Sequence, residues 1–372
     1  MSNKTTTFQP DWISCPGSTI ADILEERNMT ISSFAQGMDI SIDSINNLID
    51  GKVSIDQRMA SKLAKILGSS EQFWLKRQQN YDISVAKLEK IDEDRWLRDI
   101  PLKEIKQLGW IQNEYNDVKA CLNFFGITTV KDWYAKYEEE VTEHVVFRTS
   151  PTFKSQLGAL ACWLRKGEQI GSDIKCKPWN ISLFESSLKE IRQLTKEKDP
   201  KKFIPKLRAI CAEAGVAIAM VPPIKGCRAS GAAKFITPDK ALLIFSFRYL
   251  SDDHFWFSFF HEAGHLILHS DNKNDIFLEG VASEIGMSEN NYRINQMEEE
   301  ANSFAGETLI PHQYQNKLFS LQKNKRSIIS FALEVGVSAG IIIGQLQHYG
   351  IIKRNYLNDY KRRYNRDDIF GI

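Results

Sequence analysis

Between residues 18 and 80 the apolar positions recur at three- and four-residue intervals, in short bursts separated by turn residues, which predicts a compact unit of short helices. Ile20, Ile23 and Leu24 mark the first helix. Thr30 can cap a second over 31–37, and Ser41 a third over 42–49, whose Ile42, Ile45 and Leu48 share one face; Gly51 suits the left-handed turn that closes it. A fourth, 58–67, stops at Gly68. The tight Gly37 to Ile40 connection between the second and third helices has the spacing of a helix-turn-helix.

Residues 86–202 alternate helical patterns with charged stretches and read as a helical connector anchored by Trp96, Trp110, Phe124, Phe125, Trp133 and Trp163. The polar turn 196–202 marks a boundary. Beyond it the period changes: a helix over 204–214, a stop at Gly215, a β-type run 216–221, and a second strand 231–236. That strand turns at Pro238-Asp239 and pairs with 241–247, leading into a helix over 252–269. Residues 328–347 read as a helix, a glycine turn and a Ser-initiated helix, like a second helix-turn-helix. The expected fold class is mostly α with a small β-sheet (α+β), in four parts: 1–85, 86–202, 203–320 and 321–372.

Composition narrows the function classes. Lys and Arg number 48 against 47 Asp and Glu, so no whole-chain field draws the protein to nucleic acid or an anionic membrane. The six cysteines are scattered without a C-x-x-C pair, as reduced thiols in a cytoplasm are. The N-terminal residues lack the apolar core of a signal peptide, and no apolar run is long enough for a bilayer, so no membrane partner is expected. The cytoplasm is the expected location, and the oligomeric state stays open.

The chemistry centres on His261-Glu262-Ala263-Gly264-His265. Residues four apart on a helix share a face, so His261 and His265 can reach one metal ion, while Glu262 projects beside the open position as a proton carrier. A tetrahedral catalytic site needs a third protein ligand. The run Met297-Glu-Glu-Glu-Ala-Asn-Ser-Phe-Ala places Glu298, Ala301, Asn302 and Ala305 on one helical face, making Glu298 the candidate ligand and Asn302 its support one turn on. Glu300 stays open as an alternative ligand. His269 lies too far along the axis to share a metal with His261 and is expected at the cleft rim or helix end. Arg248 and Tyr249 could steady an oxyanion but suit a structural role better.

Two resemblances follow from these residues. The segment 30–83, with its Asp50-Gly51-Lys52 turn and its closing stretch from Phe73 to Asp82, resembles the DNA-binding unit of Xre and HigA-like regulators. FWFSFFHEAGHLILH followed by EEEANSFAGETLIP resembles the ImmA/IrrE zinc metallopeptidases, with one mild departure in the Gly306 to Pro311 ending. The second resemblance implies a gluzincin-like core, Zn2+ held by His261, His265 and Glu298, catalysis by Glu262, and a protein substrate that is a transcriptional repressor or antitoxin, in a stress or mobile-element response.

In the N-terminal unit Ser41, Ser44, Asn46, Asn47 and Lys52 are the candidate contacts to double-stranded DNA. Residues 1–85 nonetheless hold eight Lys/Arg and ten Asp/Glu, a net of −2 that argues against a strong phosphate grip, and a helical unit that dimerises or grips a protein stays open. The two functional readings are a zinc endopeptidase with a DNA-binding-type domain, and a DNA-binding regulator whose peptidase-like domain binds a partner without cutting it. The tail from Lys353 onward carries a local +3, expected either on a solvated terminal helix or against an acidic partner or DNA.

Overall fold

The computed structural model describes residues 13–112, 115–139, 151–271, 273–280 and 291–371. The N-terminal dozen used above to argue against a signal peptide lies outside them. The chain divides into two compact units, one ending at Arg95 and the other beginning at Trp96.

The first unit is built from α1 (Pro16–Glu26), α2 (Ile31–Met38), α3 (Ile42–Ile49), α4 (Gln57–Leu67) and the long α5 (Glu71–Asp99), within which the division falls. Its short helices start where a side chain supplies the missing acceptor: Thr30, Ser41 and Asp56 each accept a backbone N–H three residues on. The turn between α2 and α3 rests on Asp39 in the left-handed region (φ 52°), a conformation Asp tolerates better than most residues. Ile20, Phe34, Met38, Ile45, Leu63 and Trp74 form the core.

The second unit has a four-stranded sheet at its centre, in the order β1 (Val216–Met220), β3 (Lys240–Phe245), β2 (Gly231–Thr237), β4 (Phe277–Glu279). β1 runs parallel to β3, while β2 is antiparallel to both β3 and β4. The hairpin turn at Pro238-Asp239 forms as expected. Before the sheet come α6 (Leu102–Gln107), α7 (Asp117–Phe125), α8 (Pro151–Asp173), α9 (Ile181–Gln193) and α10 (Pro200–Glu213). After β3 comes α11 (Asp252–Leu268), and β4 leads to α12 (Asn291–Leu309), α13 (Lys325–Val335) and α14 (Ala339–His348).

Both faces of the sheet are covered, which is why β1 is buried at every position instead of alternating. Val216, Ile218, Leu243 and Phe245 join one core with α10, α11 and the C-terminal helices. Ala217, Ala219, Leu242 and Ile244 join another, with Trp96, Phe125 and Trp163. The expected connector is therefore not a separate part: Trp163 on α8 is fully buried, and its indole N–H donates to the carbonyl of Val221 at 3.2 Å. A single sheet cannot leave an apolar face in water, so residues 96–202 belong to the same unit as the peptidase-like segment.

The C-terminal segment differs from expectation for the same reason. α13, the Gly336 turn and Ser338-capped α14 do form a bent helix pair, but α14 buries Ile341, Ile342 and Ile343 against the rest of the unit and has no face to offer a DNA groove. Two cations of the basic tail are spent internally as well, while Lys353, Arg354, Arg363 and Arg366 stay exposed. Lys361 pairs with Asp253 at 2.6 Å with both side chains buried, and Arg362 donates to the carbonyls of Thr195 and Glu197. Among the described residues no single helix is long and apolar enough to cross a membrane.

Candidate metal centre

α11 follows its N-cap Ser251 and is buried along nearly its whole length, with Phe255, Trp256, Phe259 and Phe260 packed into the core and His261, Glu262 and His265 no more than 1% exposed. Three ionisable groups inside an apolar helix are costly unless partnered. Partners for the two histidines come from α12, which packs against α11 closely because the contact residues are small: Ala301 and Ala305 are fully buried, and a Cβ on Gly264 would meet the ring of Phe304 at 3.1 Å and Ala301 Cα at 3.4 Å.

This packing carries Glu298 to the two histidines. His261 Nε2 lies 3.1 Å from His265 Nε2, and the Glu298 carboxylate oxygens lie 3.4 Å from the first and 3.3 Å from the second. Ligands ~2.0–2.1 Å from a tetrahedral ion are roughly 3.3–3.4 Å from one another, so the triangle has the size zinc requires. His261, His265 and Glu298 are the group with metal-binding spacing among the described residues.

Hydrogen-bond partners assign the protons in the same sense. His261 Nδ1 faces Asn302 Oδ1 at 3.0 Å and so donates to it, leaving a lone pair on Nε2. His265 Nδ1 lies 3.1 Å from His269 Nδ1, while His269 Nε2 donates to Glu300 Oε2 at 2.9 Å. With neutral rings, His269 accepts from His265, whose Nε2 is then a lone pair too. Two imidazole lone pairs and a carboxylate converge with no proton between them, a donor set that fits a dication.

Charge follows the same logic. Burial works to raise Glu298, but the two histidine contacts outweigh it and hold the carboxyl at about 2. Burial lowers His265 to about 4, keeping it neutral, whereas at His261 Glu298, Glu279 and Asn302 together outweigh burial and raise the ring, so that without an ion His261 is the group that takes up positive charge beside the Glu298 carboxylate. Glu262 is different: both its oxygens are buried without a hydrogen-bond partner. Burial, then the nearby Glu279 and Glu298 charges, push its carboxyl well above the ordinary 4.5. Its room is made by Gly231 on β2, where a Cβ would sit 2.7 Å from Glu262 Oε1.

Each residue singled out in the sequence can now be placed. His261, His265, Glu298, Glu262 and Asn302 come together. Glu300 is held by His269 and Gln296 and does not face the triangle. His269 has a definite position behind His265 that its place at the helix end did not disclose. Arg248 donates to the Arg228 carbonyl and Tyr249 stacks on His254, so neither reaches the triangle. Glu279, on the three-residue strand β4, escaped the sequence reading; its carboxyl is buried beside α11, with Oε2 unpartnered.

In the first unit the candidate DNA contacts are exposed, and three are already engaged: the Ser41 and Ser44 hydroxyls bond each other at 2.8 Å, and Lys52 pairs with Asp50 at 2.8 Å. Asn46 and Asn47 on α3 stand free toward solvent.

Residues 230–346 match the IrrE N-terminal-like domain, and residues 20–74 match the helix-turn-helix family. The HTH-type transcriptional regulator YddM of Escherichia coli (strain K12) is 37% identical over 71 residues, which are 19% of this chain and 76% of that protein. The virulence-associated protein A' of Dichelobacter nodosus is 34% identical over 70 residues, 18% of this chain and 61% of that one. A solved addiction module antidote protein of the HigA family from Coxiella burnetii is 31% identical, with a TM-score of 0.19, covering 20% of this chain and 80% of that one. Through its first unit the chain belongs to the helix-turn-helix regulators. Its second unit carries an IrrE-like peptidase domain.

Proposed function

We propose that the protein is a cytoplasmic zinc-dependent endopeptidase that cleaves a protein partner, a transcriptional repressor or antitoxin, and that its helix-turn-helix unit brings it to DNA or to that partner. The observation that carries this reading is the contrast inside one helical turn: His261 and His265 are turned to a common point with Glu298, while Glu262 between them is buried and unpartnered. A site that only bound a partner has no use for a carboxyl group kept without a hydrogen bond beside a metal triangle.

His261, His265 and Glu298 would hold zinc, and Asn302 and His269 would keep the two rings turned to it. Zinc, when bound, supplies Lewis acidity that polarises a carbonyl and acidifies a nearby water. Glu262 then accepts the water's proton at a carboxylate oxygen and delivers it to the departing amine nitrogen, so that a new C–O bond replaces the peptide C–N bond. Its raised proton affinity suits both halves of that shuttle, and the covered apolar surroundings exclude competing water.

The test is Glu262→Gln in the full chain, compared with wild type on cell extract from a strain lacking the gene. The amide keeps the shape and removes the proton acceptor, so zinc content stays at one per chain while substrate loss falls by about 10²–10⁴-fold. Equal turnover by the two proteins at equal zinc content overturns the mechanism, and a wild-type chain that removes nothing from the extract leaves a partner-binding regulator in its place.

A further inference from the structure

A cavity of about 250 Å3 opens between α11 and α14, and its walls include Asp253, Phe257, Glu279, Gln345 and His348. Phe257 links it to the metal centre: its ring is 6.3 Å from that of His261 and 6.1 Å from that of His348. Glu279 comes from β4, the last strand of the sheet order, and an extended peptide laid along such an edge by main-chain hydrogen bonds presents alternate side chains to pockets beneath it.

Two carboxylates in the cavity wall are incompletely hydrogen-bonded. Asp253, only 6% exposed, gives one oxygen to Lys361, but its Oδ1 has no partner, and Glu279 Oε2 is likewise buried and unpartnered. Among the described residues no lysine or arginine lines the cavity. A buried carboxylate oxygen without a donor is expensive, and a structure that keeps two in one cavity is suited to a ligand that brings donors and positive charge together. A guanidinium or ammonium group does this, and Phe257, Leu309 and Ile341 give its methylene stem an apolar wall.

We propose, resting on the peptidase reading above, that this cavity receives the substrate side chain next to the scissile bond and selects arginine or lysine there, with Glu279 as the specificity-determining residue. Asp253 offers Oδ1 as a further acceptor, while its pair with Lys361 fixes the wall. A neutral side chain of similar length fills the space but leaves both oxygens unpaired.

Two measurements separate this proposal from the peptidase reading itself. The first uses the full chain carrying Glu262→Gln and reads equilibrium binding of Nα-acetyl-arginine amide against Nα-acetyl-norleucine amide by calorimetry, so nothing depends on cleavage. The arginine probe binds about tenfold tighter, and adding Glu279→Gln brings the ratio toward one. Equal affinities, no binding of either probe, or a ratio unmoved by Glu279→Gln overturns the proposal. The second maps cut sites in a peptide mixture by mass spectrometry. Cleavage with arginine and lysine enriched at one position flanking the bond supports it, and cleavage without that enrichment overturns it while the peptidase stands. Preferential arginine binding in a chain that cuts nothing keeps the cation pocket and removes the peptidase.

Discussion

α3 in the first unit and α11 in the second both carry their unit's candidate functional residues, and they do so in opposite ways. On α3 the polar groups point outward: Asn46 and Asn47 are exposed while Ile45 and Leu48 face the core. On α11 the polar groups point inward, with His261, Glu262 and His265 among aromatic side chains. An exposed asparagine costs nothing and is consistent with many roles. A buried histidine must have a partner, so its presence already constrains what the surroundings supply. The difference teaches that the site inside the protein is the more strongly specified one, because three distances and two hydrogen bonds must agree at once.

This asymmetry can be broken most sharply at the triangle. Replacing His261 or His265 with alanine removes one of three ligands, and the purified chain should lose its zinc after dialysis; metal analysis that still finds one ion per chain disproves the assignment of that ligand. A smaller effect is expected behind it. His269→Ala leaves all three ligands but unlocks the His265 ring, so zinc affinity should fall about 10–100-fold with the helical circular dichroism unchanged, and Glu300→Gln should move it in the same direction by less. Competition with a chromophoric chelator reads both, and affinities equal to wild type reduce the His269 contact to packing.

Next in size is a change in stability. Glu262 has a proton affinity raised by burial, so the folded state resists its ionisation and the stability of the metal-free wild-type chain declines as pH rises from the ordinary carboxylate value through the elevated one. Glu262→Gln has no charge to bury. It should therefore be more stable than wild type at neutral pH by about 1–3 kcal/mol and nearly equal to it near pH 4, in denaturant titrations with chelator present. A gain that is the same at both pH values, or none, shows that the carboxyl is solvated.

The smallest effect belongs to α3. Asn47→Ala should change folding stability by no more than about 0.5 kcal/mol. If the unit binds duplex DNA, the slope of log affinity against log salt should correspond to roughly two to four charges, because Arg27, Lys62 and Arg77 are tied to backbone carbonyls and Lys52 to Asp50. A steep slope on random DNA shows a basic face that these contacts conceal. Binding to no duplex at low salt makes the unit a protein-interaction module.

The sequence was most readable where a period and a chemical need coincided. Residues four apart fix a helical face, and the small residues at 301 and 305 forecast the close approach that brings Glu298 to the histidines. It was least readable where a role depends on what arrives from far along the chain. β4 is three residues long, too short for a period to show in the sequence, so nothing marked Glu279 out. His269 and Glu300 are separated by 31 residues and meet only after α11 and α12 pack. Trp163 reads as an aromatic in an amphipathic helix whether its neighbour is another helix or, as here, the far face of a sheet. In the basic tail most of the charge is exposed, but counting charge does not reveal that Lys361 is paired with an aspartate 108 positions earlier.

That last contact has a consequence in the order of synthesis. Asp253 and Lys361 anchor the start of the histidine helix, and Arg362 and Arg363 tie the same region to Thr195 and Tyr249. The first unit closes on contacts made before Arg95, so a ribosome working at ~5–20 residues per second completes it tens of seconds before these anchors exist. During that interval each new chain presents a folded helix-turn-helix unit attached to an unfinished peptidase-like one, so the surface of α3 is formed well ahead of the His261, His265 and Glu298 triangle.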